Sequence, residues 1–344
     1  MPDLSRTLPI LLAGGSSARL HELSDLGAKP ALPLGDGRLA DFAMAGVAAA
    51  GLPRLLALLG DRPAALARHL PARWGDRLDL ALVEGPRHAG GPGTLGALAA
   101  ACDAIEAAAP DVVLLLPSDQ VQALDLRALL AAHREAGAAA TVAARDALRG
   151  PVAIGWPALH AALDGGGDLW ADLLPRLAAR GDLATWTPPA GTYWRDVDTL
   201  DDLREVALDL QRGLAPPLPP DDAGPLAPDS RDLVFEVAGI ALSVPRFGAR
   251  SPGRWTMLED SAVLPGARVA PGARLTRALV APGAIVPAGL VVGEDPEEDA
   301  RWFRVTPRGT TLLTPPMLAA RAAARMRARL QDRTPGLAIT SGPR

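Results

Sequence analysis

Residues Leu8 to Phe42 read LPILLAGGSSARLHELSDLGAKPALPLGDGRLADF, and the order of residue types in this stretch decides the fold. Leu8–Ala13 is apolar at every position, as a strand covered on both faces must be. It breaks into Gly14-Gly15-Ser16-Ser17-Ala18-Arg19. Without Cβ atoms at the glycine pair, backbone N–H groups can approach a phosphate closely, although such a pair also serves as a plain tight turn. Arg19 offers phosphate oxygens a planar fork, and Lys29, followed by Pro30, offers a compact charge on a flexible stem. Asp41-Phe42 then heads an alanine-rich helix. Lys29 is the single lysine of the 344 residues, while arginine is abundant. A chain that uses arginine for its general cations keeps one lysine beside a candidate phosphate cradle, which singles out Lys29 functionally.

From Leu8 to about Gly213, short apolar runs alternate with helical patterns. Strands are expected at Leu8–Ala13, Leu55–Gly60, Leu80–Val83, Val112–Pro117, Ala139–Ala143 and Val152–Gly155. Helices are expected near 40–50, 62–71, 94–108, 125–136, 157–163, 169–180 and 199–212. This alternation predicts an α/β, Rossmann-like domain with a mostly parallel sheet, in which ligands bind beyond the carboxyl ends of the strands. Gly14 and Asp119 both fall at such ends. Asp119 follows the run Val112–Pro117, and a second carboxylate, Asp196, lies in Tyr193-Trp194-Arg195-Asp196-Val197-Asp198-Thr199 just before a helix. Two carboxylates can hold one Mg²⁺, whose remaining ligands are waters and substrate phosphates. As an N-cap for that helix, Asp198 or Thr199 fits better than Asp196.

The segment 215–228, APPLPPDDAGPLAP, holds six prolines in fourteen positions and reads as a semi-rigid linker. Beyond it, VLPGARVAPGARL and LVAPGAIVPAGLVVG place an aliphatic residue every six positions. Val263, Val269 and Leu275 keep the step, and Leu279, Ile285 and Val291 resume it after a slip. Such hexapeptides, with Pro-Gly at the corners, predict a parallel β-helix of about two coils, which must lean on another surface to bury its ends. The acidic run Glu294–Asp299 reads as a solvated turn. Arg321, Arg325, Arg327 and Arg329 lie on a basic terminal helix, Met317–Gln331, solvated or anion-binding. The expected organisation is therefore 1–213, linker 214–230, a truncated β-helix 231–316 and a helical tail 317–344.

A formal net charge of −4 and a pI near 5.8 argue against a dedicated nucleic-acid binder. The start carries no pattern of a signal peptide, and no apolar run is long enough to span a membrane, so a soluble cytoplasmic protein is expected. The one cysteine, Cys102, reads as a small buried residue of an alanine-rich helix. Asn is absent and Ala, Pro, Gly and Arg are heavily used, a composition that thermal adaptation and a GC-rich genome explain equally.

The opening stretch resembles the nucleotide-binding start of the ADP-glucose pyrophosphorylases, or glucose-1-phosphate adenylyltransferases, which reads L-A-G-G-R-G-x-R-L, R-A-K-P-A and I-D-F. Gly14-Gly15, Arg19-Leu20, Ala28-Lys29-Pro30-Ala31 and Asp41-Phe42 match, whereas Ser16-Ser17 replaces Arg-Gly and Gly27 replaces an arginine. Ser118-Asp119-Gln120 is similar to the family's G-D-H, Tyr193–Thr199 to Y-W-R-D-V-G-T, Asp168–Pro175 to D-F-G-x-D-I-I-P, and GEDPEEDARWF to its closing segment. The resemblance implies nucleotidyl transfer from ATP to glucose 1-phosphate in glycogen synthesis. Arg19 and Lys29 would act on the triphosphate, with Gly14, Gly15, Gly93 and Thr94 seating the nucleotide and Asp119 and Asp196 holding Mg²⁺. It further implies a left-handed β-helix, and a homo-oligomer or a hetero-oligomer with a catalytic paralogue. The family's F-x-E-K-P segment, whose lysine binds the sugar phosphate, has no counterpart. Arg145 or Arg149 would stand in for that lysine, with Asp172 beside the sugar, and Gly96 replaces an aspartate of G-T-A-D. These departures leave two readings, an active enzyme and a silent, nucleotide- or effector-binding regulatory subunit.

Overall fold

Leu8 and Ile10 point to one face of the first strand, β1 (Thr7–Ala13), while Leu11 and Ala13 point to the other. The same alternation recurs in β4 (Arg54–Leu59), with Leu56 and Leu58 opposite Leu55 and Leu59, and in β6 (Val112–Pro117), with Val113 and Leu115 opposite Leu114 and Leu116. Each strand thus feeds two cores, which is why these runs are apolar throughout. The computed structural model describes residues 4–14, 18–60, 62–84, 93–219, 232–237, 240–245 and 256–333. The chain divides into two compact units, Met1–Leu226 and Ala227–Arg344.

In the first unit a small hairpin, β2 (Pro33–Leu34) and β3 (Gly37–Arg38), precedes α1 (Asp41–Ala49). After β4 come α2 (Ala64–Trp74), β5 (Asp79–Glu84), α3 (Gly93–Ala100) and α4 (Cys102–Ala107). After β6 come β7 (Gln120–Gln122), α5 (Leu126–Ala136), β8 (Ala140–Arg145), β9 (Leu148–Gly155), α6 (Trp156–Leu163), a π turn (Leu169–Leu173), α7 (Leu174–Ala179), β10 (Leu183–Trp186), β11 (Trp194–Asp196) and α8 (Leu200–Gln211). The main sheet runs β10-β8-β9-β6-β1-β4-β5 and is parallel except at β9, which is antiparallel to both neighbours. Asp146 and Ala147 alone join β8 to β9, so the expected strand at 152–155 lengthens into the returning arm of a hairpin. One helix expected over 94–108 breaks at Ala101, which leaves Cys102 half-buried rather than buried.

The head of α1 carries a fully buried carboxylate. Asp41 accepts hydrogen bonds from the Arg38 N–H (2.7 Å) and the Trp74 indole (2.8 Å), with His69 Nε2 at 2.8 Å and Arg73 Nε at 3.5 Å. Arg73 also donates to the carbonyls of Asp36 and Pro219, both at 3.1 Å. With Ala215 and Leu218 buried, the first part of the proline-rich segment is packed onto this unit instead of spanning freely. Residues 220–230 lie outside the described residues.

The second unit opens with β12 (Asp232–Val237), β13 (Ile240–Pro245) and β14 (Thr256–Glu259). It continues through β15 (Ala262–Val263), β16 (Arg268–Val269), β17 (Arg274–Thr276), β18 (Ala278–Val280), β19 (Ile285–Val286) and β20 (Val291–Val292). α9 (Pro296–Trp302), β21 (Arg304–Val305), β22 (Thr311–Leu313) and α10 (Pro315–Arg333) complete it. Three sheets form whose coil strands pair in parallel, with β12–β13, β13–β14 and β21–β22 antiparallel at their edges. Met257 pairs with Arg274, Arg274 with Val291, and Ala262 with Leu279. Each partner lies 17 residues on, so one coil is a residue short of three hexapeptides. That shortfall corrects the expected inward set. After the slip Leu279 is buried as expected, together with Val280, but farther on the buried residues are Val286 and Val292, whereas Ile285 is 68% exposed and Val291 half-buried. Strand alternation turns neighbouring side chains to opposite faces, so a slip misplaced by one residue reverses the assignment. The acidic run forms α9 rather than a simple turn, capped by Asp295 and with Asp299 buried against the Gly293 N–H. Arg321 is likewise buried and not part of a solvated tail. Among the described residues, no helix is long and apolar enough to cross a membrane.

Candidate active site

β1 and β6 are adjacent in register, with Leu12 opposite Pro117, and the Ser118 hydroxyl donates to the Leu12 carbonyl at 2.7 Å. This brings Gly14 and Asp119 to neighbouring strand ends. β4 finishes beside them at Gly60, where an added Cβ would meet the Gly14 Cα at 2.8 Å, so glycine is required for the close approach. Gly15 lies outside the described residues.

Lys29 sits in a short 3₁₀ turn, Lys29–Ala31, and its side chain is 9% exposed. Its Nζ donates to Asp119 Oδ2 at 2.9 Å and to Asp198 Oδ1 at 3.0 Å. Arg19 Nη2 reaches the same Asp198 oxygen at 3.1 Å from a largely exposed position. The single lysine is thus held between a carboxylate at the end of β6 and one just beyond β11.

A two-stranded antiparallel pairing, β7 with β11, sets Asp196 opposite Gln120, and the Val197 N–H donates to the Asp119 carbonyl at 2.9 Å. Gln120 is 3% exposed, and every polar atom of its side chain is engaged. Its Nε2 donates to Asp196 Oδ1 and to the Arg149 carbonyl, both at 2.7 Å, and its Oε1 accepts from the Trp194 indole at 3.1 Å. An indole only donates and a carbonyl only accepts, so these neighbours fix which end of the amide faces Asp196. Burial pushes the Asp196 carboxyl up to about 6, and the charges of Asp119 and Asp198 add to this. The Gln120 hydrogen bond and Lys29 oppose it. Three carboxylates face two cations here, and all the anionic donors are hard oxygens. That set suits a hard divalent cation, which takes carboxylate oxygens and retains waters.

Asp196 and Asp198 open onto a cleft of about 670 Å³, also lined by Arg145, Thr192 and Trp194. Arg145 donates to the carbonyls of Thr192 (2.7 Å) and Trp194 (3.2 Å), and its guanidinium carbon lies 5.7 Å from the centre of the Trp194 ring. A Cβ on Gly150 would meet that ring at 2.5 Å, so the β8–β9 hairpin and β11 are in tight contact. The Arg149 side chain is exposed and does not line the cleft, although its carbonyl anchors Gln120.

Gly93, Thr94 and Asp172 belong to a second cluster. Gly93 has φ +90°, and a Cβ there would meet the Gly167 carbonyl at 2.4 Å. The Leu95 N–H donates to that carbonyl at 3.0 Å, and Thr94 Oγ1 donates to Asp168 Oδ2 at 3.0 Å. Burial alone would raise the Asp168 carboxyl, but hydrogen bonds from Ala171, Thr94 and Trp170 hold it below its ordinary value. Asp172 Oδ2 accepts from the Asp168 N–H at 2.7 Å, and Asp172 lines a separate cavity with Gly165, Gly166 and Arg176. Asp172 therefore shapes the 165–168 loop and does not line the Arg145 cleft.

Sequence reasoning gave no functional role to Asp198 or Gln120. Thr199, not Asp198, caps α8, in a capping box with Asp202, which leaves Asp198 to Lys29. The signal was present in Trp194-Arg195-Asp196-Val197-Asp198: with a period of two, Asp196 and Asp198 share a side, while Arg195 pairs outward with Glu205 and Asp209.

The sequence is similar to those of known proteins. The nucleotidyl transferase family pattern matches residues 8–149, and a GlmU-like C-terminal hexapeptide pattern matches residues 238–313. The chain is 28% identical to a glucose-1-phosphate adenylyltransferase of Jannaschia sp., covering 93% of this chain and 98% of that protein. Similar enzymes of Thiobacillus denitrificans and Alkalilimnicola ehrlichii are each 28% identical over 91% of this chain, covering 91% and 94% of those proteins.

Proposed function

The chain belongs, as a divergent and shortened member, to the glucose-1-phosphate adenylyltransferase family of nucleotidyltransferases, and we propose that it joins ATP to glucose 1-phosphate, giving ADP-glucose and pyrophosphate. The observation that carries this reading is the convergence of the only lysine with Asp119 and Asp198 at the ends of β6 and β11. In the transfer, a phosphate oxygen of the sugar attacks the α-phosphorus of ATP. The new P–O bond forms as the bond to the β-phosphate oxygen breaks, and pyrophosphate carries away the electron pair. Such chemistry depends on positioning and on neutralising charge more than on a protein nucleophile.

Lys29 and Arg19, held by carboxylates without nucleotide, exchange those partners for triphosphate oxygens. Gly14 and Gly15 let the backbone approach, and the Gly93-Thr94 turn seats the base. Arg145, fixed by two carbonyls and the Trp194 ring, presents its remaining N–H groups to the sugar phosphate. Asp119 and Asp196, joined by Asp198, are the ligands for Mg²⁺, which when bound supplies positive charge to the phosphates. Asp172 acts on the sugar side only through the loop it shapes.

A second reading is supported by the β8–β9 hairpin. Its two-residue connection leaves no segment to carry a sugar-phosphate lysine, as a regulatory subunit binding nucleotide beside a catalytic paralogue would allow. Pyrophosphate release from Mg²⁺, ATP and glucose 1-phosphate, measured alongside ATP binding, separates the two. Steady release that is lost in Lys29→Met and Asp119→Asn supports the enzyme. Binding without release supports the regulatory subunit, and an undiminished rate in Lys29→Met sinks the site as drawn.

A further inference from the structure

A different set of donors converges on the outer helices of the first unit. Cys102 and Glu106 are four residues apart on α4 and so share a helix face, and His160 comes from α6. One ligand atom from each lies within 4.8 Å of the other two, and Glu106 Oε1 is 3.3 Å from His160 Nε2. The His160 ring is steadied by Trp156, one turn earlier, with ring centres 5.1 Å apart at 64°. None of the three lines the cleft of Arg145.

The donor chemistry differs from that of the aspartate cluster. A thiolate, an imidazole and a carboxylate together suit zinc and its neighbours and disfavour Mg²⁺ and Ca²⁺, which want oxygen alone. Bonds of about 2.0–2.3 Å place tetrahedral ligands roughly 3.3–3.8 Å apart. The present spacing must therefore contract by about 1.5 Å at most, within the reach of rotatable side chains. Glu106 and His160, each 52% exposed, are free to make that movement. The local field also favours a cation. Burial raises the Cys102 thiol and so works against the thiolate, whereas the nearby charges of Glu106, Asp103 and Asp164, which raise it further, are what draw a cation to the sulfur.

We propose that Cys102, Glu106 and His160 form an open three-ligand site for a divalent transition metal of the zinc class, distinct from the aspartate cluster and independent of the transfer reaction. The fourth position is left to water. Occupancy ties α4, which follows the Gly93-Thr94 helix, to α6, which leads into the 165–168 loop.

The test is titration of the metal-stripped full-length protein with Co²⁺, a spectroscopic substitute for zinc. The expected result, with Mg²⁺ in excess to occupy the aspartates, is a thiolate-to-cobalt charge-transfer band in the near ultraviolet that saturates at about one Co²⁺ per chain and that Zn²⁺ abolishes. Cys102→Ser should remove the band. His160→Ala and Glu106→Gln should each weaken binding about tenfold or more, while Asp119→Asn should leave it unchanged. Absence of a thiolate band overturns the proposal. So does a band that survives both His160→Ala and Glu106→Gln undiminished, which would mean an isolated thiol binding metal without the other two donors.

Discussion

Asp196→Asn should make the metal-free protein more stable while removing the proposed Mg²⁺ site. The Asp196 carboxyl is pushed up to about 6 from 3.8, mainly by burial, so its charged form is disfavoured in the folded state. Two pH units correspond to about 3 kcal/mol, and the part-open setting screens this to about 1–2 kcal/mol. An asparagine carbonyl still accepts from Gln120, so the buried amide keeps its partner. The sign follows from proton binding: between about pH 4 and 6 the folded chain holds a proton that the unfolded chain has released. Wild type is therefore penalised in full above pH 6, and the penalty fades as the pH falls toward 4. Thermal unfolding without metal at pH 7.5 should show the variant higher by roughly 2–8 °C, with the gap narrowing at pH 4.5. Mg²⁺ with ATP should raise the wild-type midpoint and leave the variant's almost unmoved. A variant no more stable than wild type, or an advantage undiminished at pH 4.5, would refute the reasoning.

Gln120→Met leaves the Arg149 carbonyl and the Trp194 indole unpaired, at a cost of about 2–4 kcal/mol in a denaturant titration. It should also weaken Mn²⁺ binding at the aspartates about 10–100-fold, and unchanged Mn²⁺ affinity would confine Gln120 to a packing role. Arg145→Ala should raise the KM for glucose 1-phosphate about 10–100-fold and spare that for ATP, as steady-state kinetics can show; equal effects on both substrates would move Arg145 out of the sugar-phosphate subsite. His133 is buried against Thr141 Oγ1 at 3.0 Å, and burial, reinforced by Arg134, lowers its affinity for a proton. The unfolded chain takes up that proton near pH 6.5, so stability is present above this pH and declines below it. His133→Gln should flatten the fall in urea midpoint between pH 7.5 and 5.5, and an unaltered slope would exclude His133 as its source.

The central strands were legible because both faces are buried: an unbroken apolar run such as Val112–Pro117 has few other uses. The direction of β9 was not, since Val152–Gly155 reads the same from either end, and only the two-residue turn at Asp146-Ala147 reverses it. The residues Lys29, Asp119 and Asp196 were singled out by type and position, but their grouping depends on β7 and β11. Those strands are three residues long and partly polar, with no periodicity to detect. Asp198 is obscured by its place two residues before a helix, where capping is the commoner duty. In the second unit the six-residue period is visible in the sequence and the 17-residue coil is not, so a step of six from Leu279 arrives one residue early at Ile285 and Val291.

The isolation of Lys29 has a practical consequence. It is the only side-chain amine in the chain, so reductive alkylation with an aldehyde has one internal amine to modify, and that amine is nine-tenths shielded and paired with two carboxylates. Its rate of labelling therefore reads out the opening of this one position. Ligands can be compared by how far they protect a single, known nitrogen, with no need to engineer a probe into the protein.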